Sequence, residues 1–406
     1  MPTPLKIRPR ALVRDSGGPR YAVALAVDAL GTGLLRPFLL LYGVSVLHLS
    51  APLAGTAMTA GVVAGLVCMP ALGSWLDRGA RSTPVAASML VRVAGTVLLL
   101  AAPVGNVWLF GSAALFLGVG NQAWPAAHAA LVATVSRGRQ RDAALAAGRA
   151  LRNAGMGVGA LVATAALAGG TPVLQALAAV TGCSYLAAAG LAWSVRLRAD
   201  PAGAPSAGPV RNEDGEKEDG EPATGMRALL AANVIYVFCL NVPEIALPLI
   251  LMTQLHASPA WSAGIFVANT VLVVTLQVPL TVLLSRYSRR SVLALAGVVL
   301  TVSYLGFLVA ASLTGGWAAP AIAAVSVLCT LGEIIYAGSA TALVTALAPP
   351  HAPGRTLARF ELSSGFGLAV SPAVITALAP HGATALWGTL AAATLVASAA
   401  PLRRGA

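Results

Sequence analysis

The sequence predicts an all-α membrane protein with twelve transmembrane helices in two pseudo-symmetric six-helix bundles. Three observations predict this fold: the number of long apolar stretches, the placement of the basic residues, and an internal repeat. The chain has 406 residues, of which 57% are hydrophobic and 10% are charged. A water-soluble domain of this length does not have such a composition, so we expect the chain to lie in a lipid bilayer.

Apolar stretches of about 20 residues or more are long enough to cross a bilayer as a helix. Twelve such stretches occur, and their approximate bounds are 21–47, 54–76, 83–103, 108–135, 141–168, 172–196, 226–254, 259–286, 290–313, 317–347, 353–378 and 382–402.

Basic residues occur on only one side of the predicted membrane. If the N-terminus is cytoplasmic and the spans alternate, the outer loops near 48, 103, 169, 256, 315 and 381 contain no Lys or Arg. The inner segments carry Lys6, Arg8, Arg10, Arg14, Arg20, Arg78, Arg81, Arg137, Arg139, Arg141, Arg196, Arg198, Arg286, Arg289, Arg290, Arg355, Arg403 and Arg404. This bias is the positive-inside rule. It predicts a multi-pass protein of the cytoplasmic membrane with both termini in the cytoplasm.

An acidic segment divides the chain into two similar halves. Residues 197–225 contain seven of the fourteen acids and predict a solvated linker. We therefore predict a cytoplasmic tail at 1–20, bundles at 21–196 and 226–402, and the linker between them. Arg36-Pro37-Phe38-Leu39-Leu40 in span 1 is echoed 211 residues later by Leu247-Pro248-Leu249-Ile250-Leu251. A parallel repeat of six spans is an architecture of secondary transporters.

Several other classes of protein are disfavoured. The net charge of +12 sits at span ends without interleaved aromatic residues, so we predict no nucleic-acid partner. The only lysines, Lys6 and Lys217, do not follow Gly, which excludes a Walker A phosphate loop. The five His are scattered, so we predict no metal, no cofactor and no membrane-embedded enzyme. No segment suggests a channel's selectivity filter.

Two motifs carry a resemblance to a known family. Gly73-x-x-x-Asp77-Arg78-Gly79-x-Arg81, between spans 2 and 3, resembles motif A of the major facilitator superfamily. Asp28-Ala29-Leu30-Gly31-Thr32-Gly33-Leu34-Leu35-Arg36-Pro37 in span 1 resembles the corresponding motif of its tetracycline-type drug:proton antiporters. The resemblance implies the major facilitator fold, a monomer, and proton-coupled efflux of a small amphipathic molecule or drug by alternating access.

Two positions depart from the antiporter pattern. Ala114 stands where those antiporters carry an Arg in span 4, and Ala160 follows Gly159 where they carry a Gly-Pro. These departures favour the alternative of uptake or facilitated diffusion of a metabolite by the same fold.

The first motif implies a gate formed by Gly73, Asp77, Arg78, Gly79 and Arg81. We expect Asp77 to face the positive N-terminus of span 11, near Pro353 and Gly354. An acid at this place does nothing for membrane orientation, which favours a gating role over a simple topological one.

Eight charged residues lie well inside predicted spans, at least seven residues from either end: Asp28, Glu244, Glu333, Glu361, Arg36, Arg92, Arg149 and Arg152. Each costs on the order of 2.5–3.5 kcal/mol if it faces lipid, so they must pair or face water. Glu244 and Glu333 have no Arg at helical spacing in their own spans and are the first candidates for proton coupling. Asp28 joins them on the family match.

The superfamily lines its substrate cavity with spans 1, 4, 7 and 10. Polar and aromatic residues in the middle of these spans are candidate cavity residues, although any one of them could simply bond a neighbouring helix: Arg36, Asn121, Gln122, Trp124, His128, Asn233, Tyr236, Asn241 and Tyr336. The spacing of Asn233 and Glu244 places both on one face of a regular helix. Trp124 could stack on a planar or cationic substrate. The substrate stays open between cations, zwitterions and amphipathic drugs.

Overall fold

A computed structural model describes residues 13, 16–78, 82–166, 170–195, 223–313, 316–349 and 352–402. All its regular elements are helical, which confirms the predicted all-α class. The helices, numbered in chain order, are α1 Pro19–Ser45, α2 Pro52–Asp77, α3 Thr83–Ala101, α4 Val107–Val135, α5 Gly138–Ala166, α6 Thr171–Trp193, α7 Gly225–Met252, α8 Ala260–Leu284, α9 Arg289–Ala311, α10 Ala318–Leu347, α11 Pro353–His381 and α12 Thr384–Leu402.

Ten of these helices are long and apolar enough to cross a membrane. The other two, α4 and α5, have 29 residues each, so length is not their shortfall. Both helices are instead too polar. The helix α4 carries Asn121, Gln122 and His128, and α5 carries Arg149 and Arg152 along with basic residues in its first turns. Each of the twelve predicted spans thus corresponds to one helix, and the two most polar helices hold much of the candidate site.

The chain forms two compact units. The first contains α1–α6 and the start of α11 as far as Glu361, and the second contains α7–α10, α11 from Leu362 onward, and α12. The predicted linker at 197–225 lies almost wholly outside the described residues, as does most of the predicted tail at 1–20. Those domain boundaries therefore stay predictions.

Close helix packing in the first unit depends on glycine. The helices α1 and α5 pack against each other along much of their length. A Cβ atom on Gly33 would lie on the carbonyl of Met156, and one on Gly159 would lie on the carbonyl of Leu30. Backbone atoms cannot move aside as a flexible side chain can, so only glycine allows this approach.

The second unit has an aromatic centre. Trp387 is completely buried, and its ring centroid lies 4.7 Å from that of Phe307 and 6.2 Å from that of Tyr304. Trp387 belongs to a π-helical turn, Thr384–Gly388, which opens α12. The helix α9, which carries the other two rings, packs on both α10 and α12.

The first helix of each unit is interrupted beside a proline. A 3₁₀ turn, Arg36–Phe38, breaks α1 at Pro37. A π-helical segment, Val242–Ala246, interrupts α7 and includes Pro243. Proline removes a backbone donor and commonly breaks or kinks a helix. Such interruptions change which side of the helix the later residues occupy.

The two interrupted helices end in the same way. His48 and His256, 208 residues apart, both adopt a left-handed backbone conformation, with φ of 54° and 47°. The amide one residue after each histidine donates to the carbonyl six residues before that amide, at 3.0 and 2.8 Å. Each bond spans one residue more than the longer bond of a Schellman helix end. The same cap at nearly the same offset as the sequence echo supports an internal repeat.

Candidate functional site

A buried cluster of charges joins α1, α3 and α5 in the first unit. Asp28 of α1 is completely buried and forms two ion pairs: Oδ1 lies 2.5 Å from Nη2 of Arg92 on α3, and Oδ2 lies 3.2 Å from Nη1 of Arg152 on α5. Arg92 is also completely buried, whereas the Arg152 side chain is 13% exposed. One carboxylate is therefore shared by two guanidinium groups.

Polar groups of α1 and α6 hold Arg92 in place. Its Nη1 donates to the Thr32 hydroxyl at 3.3 Å, and the Tyr185 hydroxyl donates to the same oxygen at 3.2 Å. The Arg92 guanidinium lies 4.4 Å from the centre of the Tyr185 ring, a cation–π contact. Its Nε also donates to the Ser88 carbonyl at 3.3 Å. Arg92 is thus fixed on several sides.

A stack of rings adjoins Arg152. The guanidinium lies 4.0 Å from the centre of the Trp124 ring. That ring stacks on His128 with centroids 5.0 Å apart, and His128 stacks in turn on Tyr21 at 5.8 Å. The Tyr21 hydroxyl and Nδ1 of His128 are 2.8 Å apart. Trp124 is therefore engaged by its own neighbours, and the expected stacking on substrate remains a prediction.

The remaining candidates of the first unit differ in exposure. Arg36 lies in the 3₁₀ turn of α1 and is exposed. Asn121 and Gln122 are half-buried, and Oδ1 of Asn121 has no hydrogen-bond partner within the described part of the chain. The indole N–H of Trp124 and Nε2 of His128 are also buried, and neither has a hydrogen-bond partner in the described ranges.

A polar cluster in the second unit is centred on Asn233 of α7. Its amide nitrogen donates to the hydroxyls of Ser363 and Ser364, each at 2.9 Å, and its carbonyl accepts from Tyr336 at 2.8 Å. Tyr336 stacks face to face on Tyr236, with centroids 5.4 Å apart. Three predicted cavity residues therefore lie together, and α7, α10 and α11 each contribute.

The other polar residues of α7 have partners of their own. The Tyr236 hydroxyl donates to the Leu293 carbonyl at 3.0 Å. The Asn241 amide donates to the Ser371 hydroxyl and, at 3.4 Å, to the Leu368 carbonyl. Tyr236 is 1% and Asn241 8% exposed. Their hydrogen bonds join α7 to α9 and α11.

Glu333 is the buried acid of the second unit. It lies in α10 and is 8% exposed. Nδ2 of Asn269, on α8, donates to its Oε2 at 2.9 Å and to the Thr330 hydroxyl at 3.0 Å. The carboxyl group is thus held by a neighbouring helix through an amide.

Glu244 does not share the environment expected from its spacing. Asn233 is buried, whereas Glu244 is exposed. The expectation assumed a regular α-helix between them, but Glu244 lies within the π-helical segment Val242–Ala246. A π turn inserts an extra residue and rotates the later part of the helix relative to the earlier part.

Asp77, at the end of α2, lies against the first turn of α11 within the first unit. Its Oδ1 accepts from the amides of Gly354 at 2.6 Å and Arg355 at 3.2 Å, and its Oδ2 lies 2.7 Å from the Arg355 Nε. A Cβ atom on Gly73 would lie 2.9 Å from Cα of Arg355. Arg78 is exposed. Gly79 and Arg81 lie outside the described residues.

Comparison with known families settles the class of protein. A family model described as the Major Facilitator Superfamily matches residues 21–372. The chain belongs to the Major Facilitator Superfamily. Its membership identifies it as a multi-pass membrane transporter of small molecules. No curated protein has a significantly similar sequence.

Solved structures of other transporters have the same fold. A bacterial homologue of the iron transporter ferroportin, in an outward-facing state, is 11% identical with a TM-score of 0.73, over 94% of this chain and 98% of that one. The human organic anion transporter MFSD10 is 14% identical with a TM-score of 0.68, over 97% and 100%. The transporter FucP is 13% identical with a TM-score of 0.71, over 95% and 97%. At these identities the likeness concerns the fold.

Sequence reasoning missed several residues of these clusters. Arg92 and Arg152 were recognised as charges within the membrane, but not as partners of Asp28, because sequence spacing does not reveal contacts between helices. Asn269 was missed as the partner of Glu333, although an amide in the apolar α8 was a visible signal. Ser363 and Ser364 were hidden by their small size.

Proposed function

We propose that this superfamily member is a secondary active transporter that exports a small amphipathic molecule by alternating access, coupled to proton entry. The observation that carries the proposal is the setting of Glu333. It is 8% exposed near the middle of the 30-residue α10. No Lys or Arg occurs in 228–285, 291–347 or 362–402, which cover the helices of its unit apart from the first turns of α7 and α9.

A carboxyl group in such a place is suited to carry a proton. Burying a charge in an apolar interior is costly unless it is compensated, and the Asn269 amide supplies a neutral partner rather than a cation. The amide can donate to the carbonyl oxygen of the protonated acid as well as to the carboxylate. Glu333 can therefore gain and lose a proton while its position is kept.

Asp28 is the second acid in the proposed coupling. Its carboxylate holds both Arg92 and Arg152, and a proton on Asp28 would weaken both pairs. Protonation would thereby free guanidinium groups on α3 and α5. The antiporter position Ala114 on α4 contributes no charge, so in this chain the cations that face Asp28 come from the neighbouring helices.

The contact of Asp77 with α11 supports a gating role. Two backbone amides at the start of a helix and one guanidinium converge on a single carboxylate. The positive end of the helix dipole adds to this attraction. We propose that the contact forms in one state of the transport cycle and breaks in the other.

Flux in proteoliposomes tests the proposal. The purified chain is reconstituted, a pH gradient is imposed, and movement of the fluorescent cation ethidium and of the anion carboxyfluorescein is followed. We expect gradient-driven flux of at least one probe, its loss in Glu333→Gln, and its retention in Arg137→Gln, which changes an exposed residue between α4 and α5. Full gradient-driven flux in both Glu333→Gln and Glu244→Gln would overturn the proposal.

Uptake of a metabolite is the alternative, and the absence of the antiporter residues at Ala114 and Ala160 favours it. The same vesicles distinguish the two directions. Export by antiport requires the probe to move against the direction of proton movement, whereas uptake by symport requires both to move together.

A further inference from the structure

The two units differ in the charges that their helices hold within the membrane. Away from the first and last two turns of each helix, the first unit contains four arginines and two acids, and the second contains two acids and no base: Arg36, Arg92, Arg149, Arg152, Asp28 and Glu361 against Glu244 and Glu333. A structural need for ion pairs alone would place equal numbers of opposite charges together. The first unit instead has an excess of positive charge.

That excess is concentrated around Arg152. Arg152 shares Asp28 with Arg92, and Arg36 lies close enough to interact with it electrostatically. Glu361 interacts with both Arg149 and Arg152. With both acids ionised, the four arginines outnumber the two carboxylates. If the exposed Arg36 is left out, three guanidinium groups still stand against two carboxylates.

No other acid of the first unit's described helices corrects the imbalance. Asp142, also on α5, precedes Arg152 by ten residues, about 15 Å along a helix that rises about 1.5 Å per residue. Asp77 lies at the end of α2, occupied by the first turn of α11. Arginine stays protonated in proteins, so the excess cannot be relieved by loss of a proton.

An unused donor lies beside this charge. Trp124 is 4% exposed, and its indole N–H has no acceptor among the residues that the structure describes. The Arg152 guanidinium lies 4.0 Å from the centre of its ring, and the Arg152 side chain is 13% exposed, so it is not sealed off. A buried donor without an acceptor costs stability, and an excess cation in a membrane does too. One bound anion would accept from the indole N–H and would also offset the excess positive charge.

We propose that the first unit binds the carboxylate of an organic anion through Arg152 and the Trp124 indole N–H, which makes the substrate an amphipathic anion. This inference rests on the proposed transport function and names its substrate class. The planar guanidinium of Arg152 suits a carboxylate. The second unit, whose helices hold acids without bases away from their ends, has no comparable anion site among its described residues.

Binding is measured with the purified full-length chain in detergent, without any gradient. The probes are three aromatic carboxylates (benzoate, 1-naphthoate and indole-3-acetate), each with its matched amide and its matched ammonium analogue. A ligand that binds the folded state raises the melting temperature. We expect at least one carboxylate to raise it and the matched amide and ammonium compounds to leave it unchanged.

Variants assign the effect to the proposed residues. Arg152→Gln is expected to abolish the stabilisation, and Arg152→Lys to retain part of it. The control Arg137→Gln changes an exposed arginine of the same unit and is expected to keep it. If Arg152→Gln does not fold, Trp124→Phe removes the indole N–H and keeps an aromatic ring. It is expected to weaken carboxylate binding about tenfold, the loss of one hydrogen bond to a charged group.

Three results would overturn the inference: stabilisation by the ammonium compounds instead, no stabilisation by any carboxylate, or carboxylate stabilisation that survives both Arg152→Gln and Trp124→Phe. Failure here is separable from failure of the proposed function. Gradient-driven flux without carboxylate binding overturns only the substrate class, whereas carboxylate binding with flux that ignores the pH gradient overturns only proton coupling.

Discussion

The contact between Asp77 and the first turn of α11 allows a quantitative prediction for Asp77→Ala. Removing the acceptor at a helix N-terminus costs about 1 kcal/mol, and removing the negative charge there costs about 0.5 kcal/mol. The ion pair adds little because the Arg355 side chain is 57% exposed. The sum of about 1.5 kcal/mol corresponds to about a tenfold shift toward the state that lacks the contact.

Thiol labelling measures that shift. Thr356, in the first turn of α11, is 8% exposed while the contact holds. In a variant with its four native cysteines replaced, Thr356→Cys reports release of this turn through its reaction rate with a water-soluble maleimide. We expect Asp77→Ala to raise the rate about tenfold, in line with the same shift in population.

Two further variants calibrate the result. Asp77→Asn keeps an acceptor oxygen and loses the charge, so we expect a two- to threefold rise, the counterpart of about 0.5 kcal/mol. The control Ser74→Ala removes a hydroxyl that bonds the Ala71 carbonyl of its own helix, and no change is expected. An unchanged rate in Asp77→Ala, or a larger rise in Asp77→Asn than in Asp77→Ala, would refute the reasoning.

The remaining predictions concern packing and the polar clusters. Gly33→Ala places a methyl group on the backbone of α5 and should lower the melting temperature strongly. Gly190, on α6, has open space where a Cβ atom would lie, so Gly190→Ala should leave the melting temperature unchanged. Equal falls in melting temperature for the two variants would contradict the packing argument. Asn233→Ala removes the hydrogen bond that the Tyr336 hydroxyl donates to Asn233, so the melting temperature should fall by the counterpart of about 1 kcal/mol. Asn233→Asp, which keeps an acceptor, should lower it less. Arg92→Gln removes the closer ion-pair partner of the fully buried Asp28 and should lower the melting temperature more than Arg137→Gln does. Similar melting temperatures for the two variants would rule out a stabilising role for the ion pair.

The fold was predictable because its signals are local. An apolar stretch of sufficient length specifies a transmembrane helix whatever its neighbours are, and each predicted span corresponds to a helix. Where a helix departs from regularity, local sequence is a poorer guide. Pro37 and Pro243 lie in the interruptions of α1 and α7, but we expected regular helices through both positions, and the π turn around Glu244 was missed.

The candidate site was predictable only in part because it depends on contacts between helices. Reasoning from one span at a time selected Glu244 and Glu333, since a charge inside a membrane is costly anywhere, and the family resemblance added Asp28. The partners of Asp28 and Glu333, which are Arg92, Arg152 and Asn269, come from other helices, and Asp28 and Arg152 are 124 residues apart. The Asp77 contact was expected at the start of α11, because the helix dipole gives an acid at that place a physical reason. Its role in gating remains a prediction.

Proton movement in proteoliposomes tests the central claim most directly. Vesicles that contain only the purified chain and an internal pH indicator are loaded with an aromatic carboxylate that raises the melting temperature. Release of the carboxylate down its own gradient should acidify the interior in the wild-type protein, because antiport brings protons inward, and should cause no pH change in Glu333→Gln. An interior that stays at constant pH in the wild-type protein while the carboxylate leaves would contradict the account.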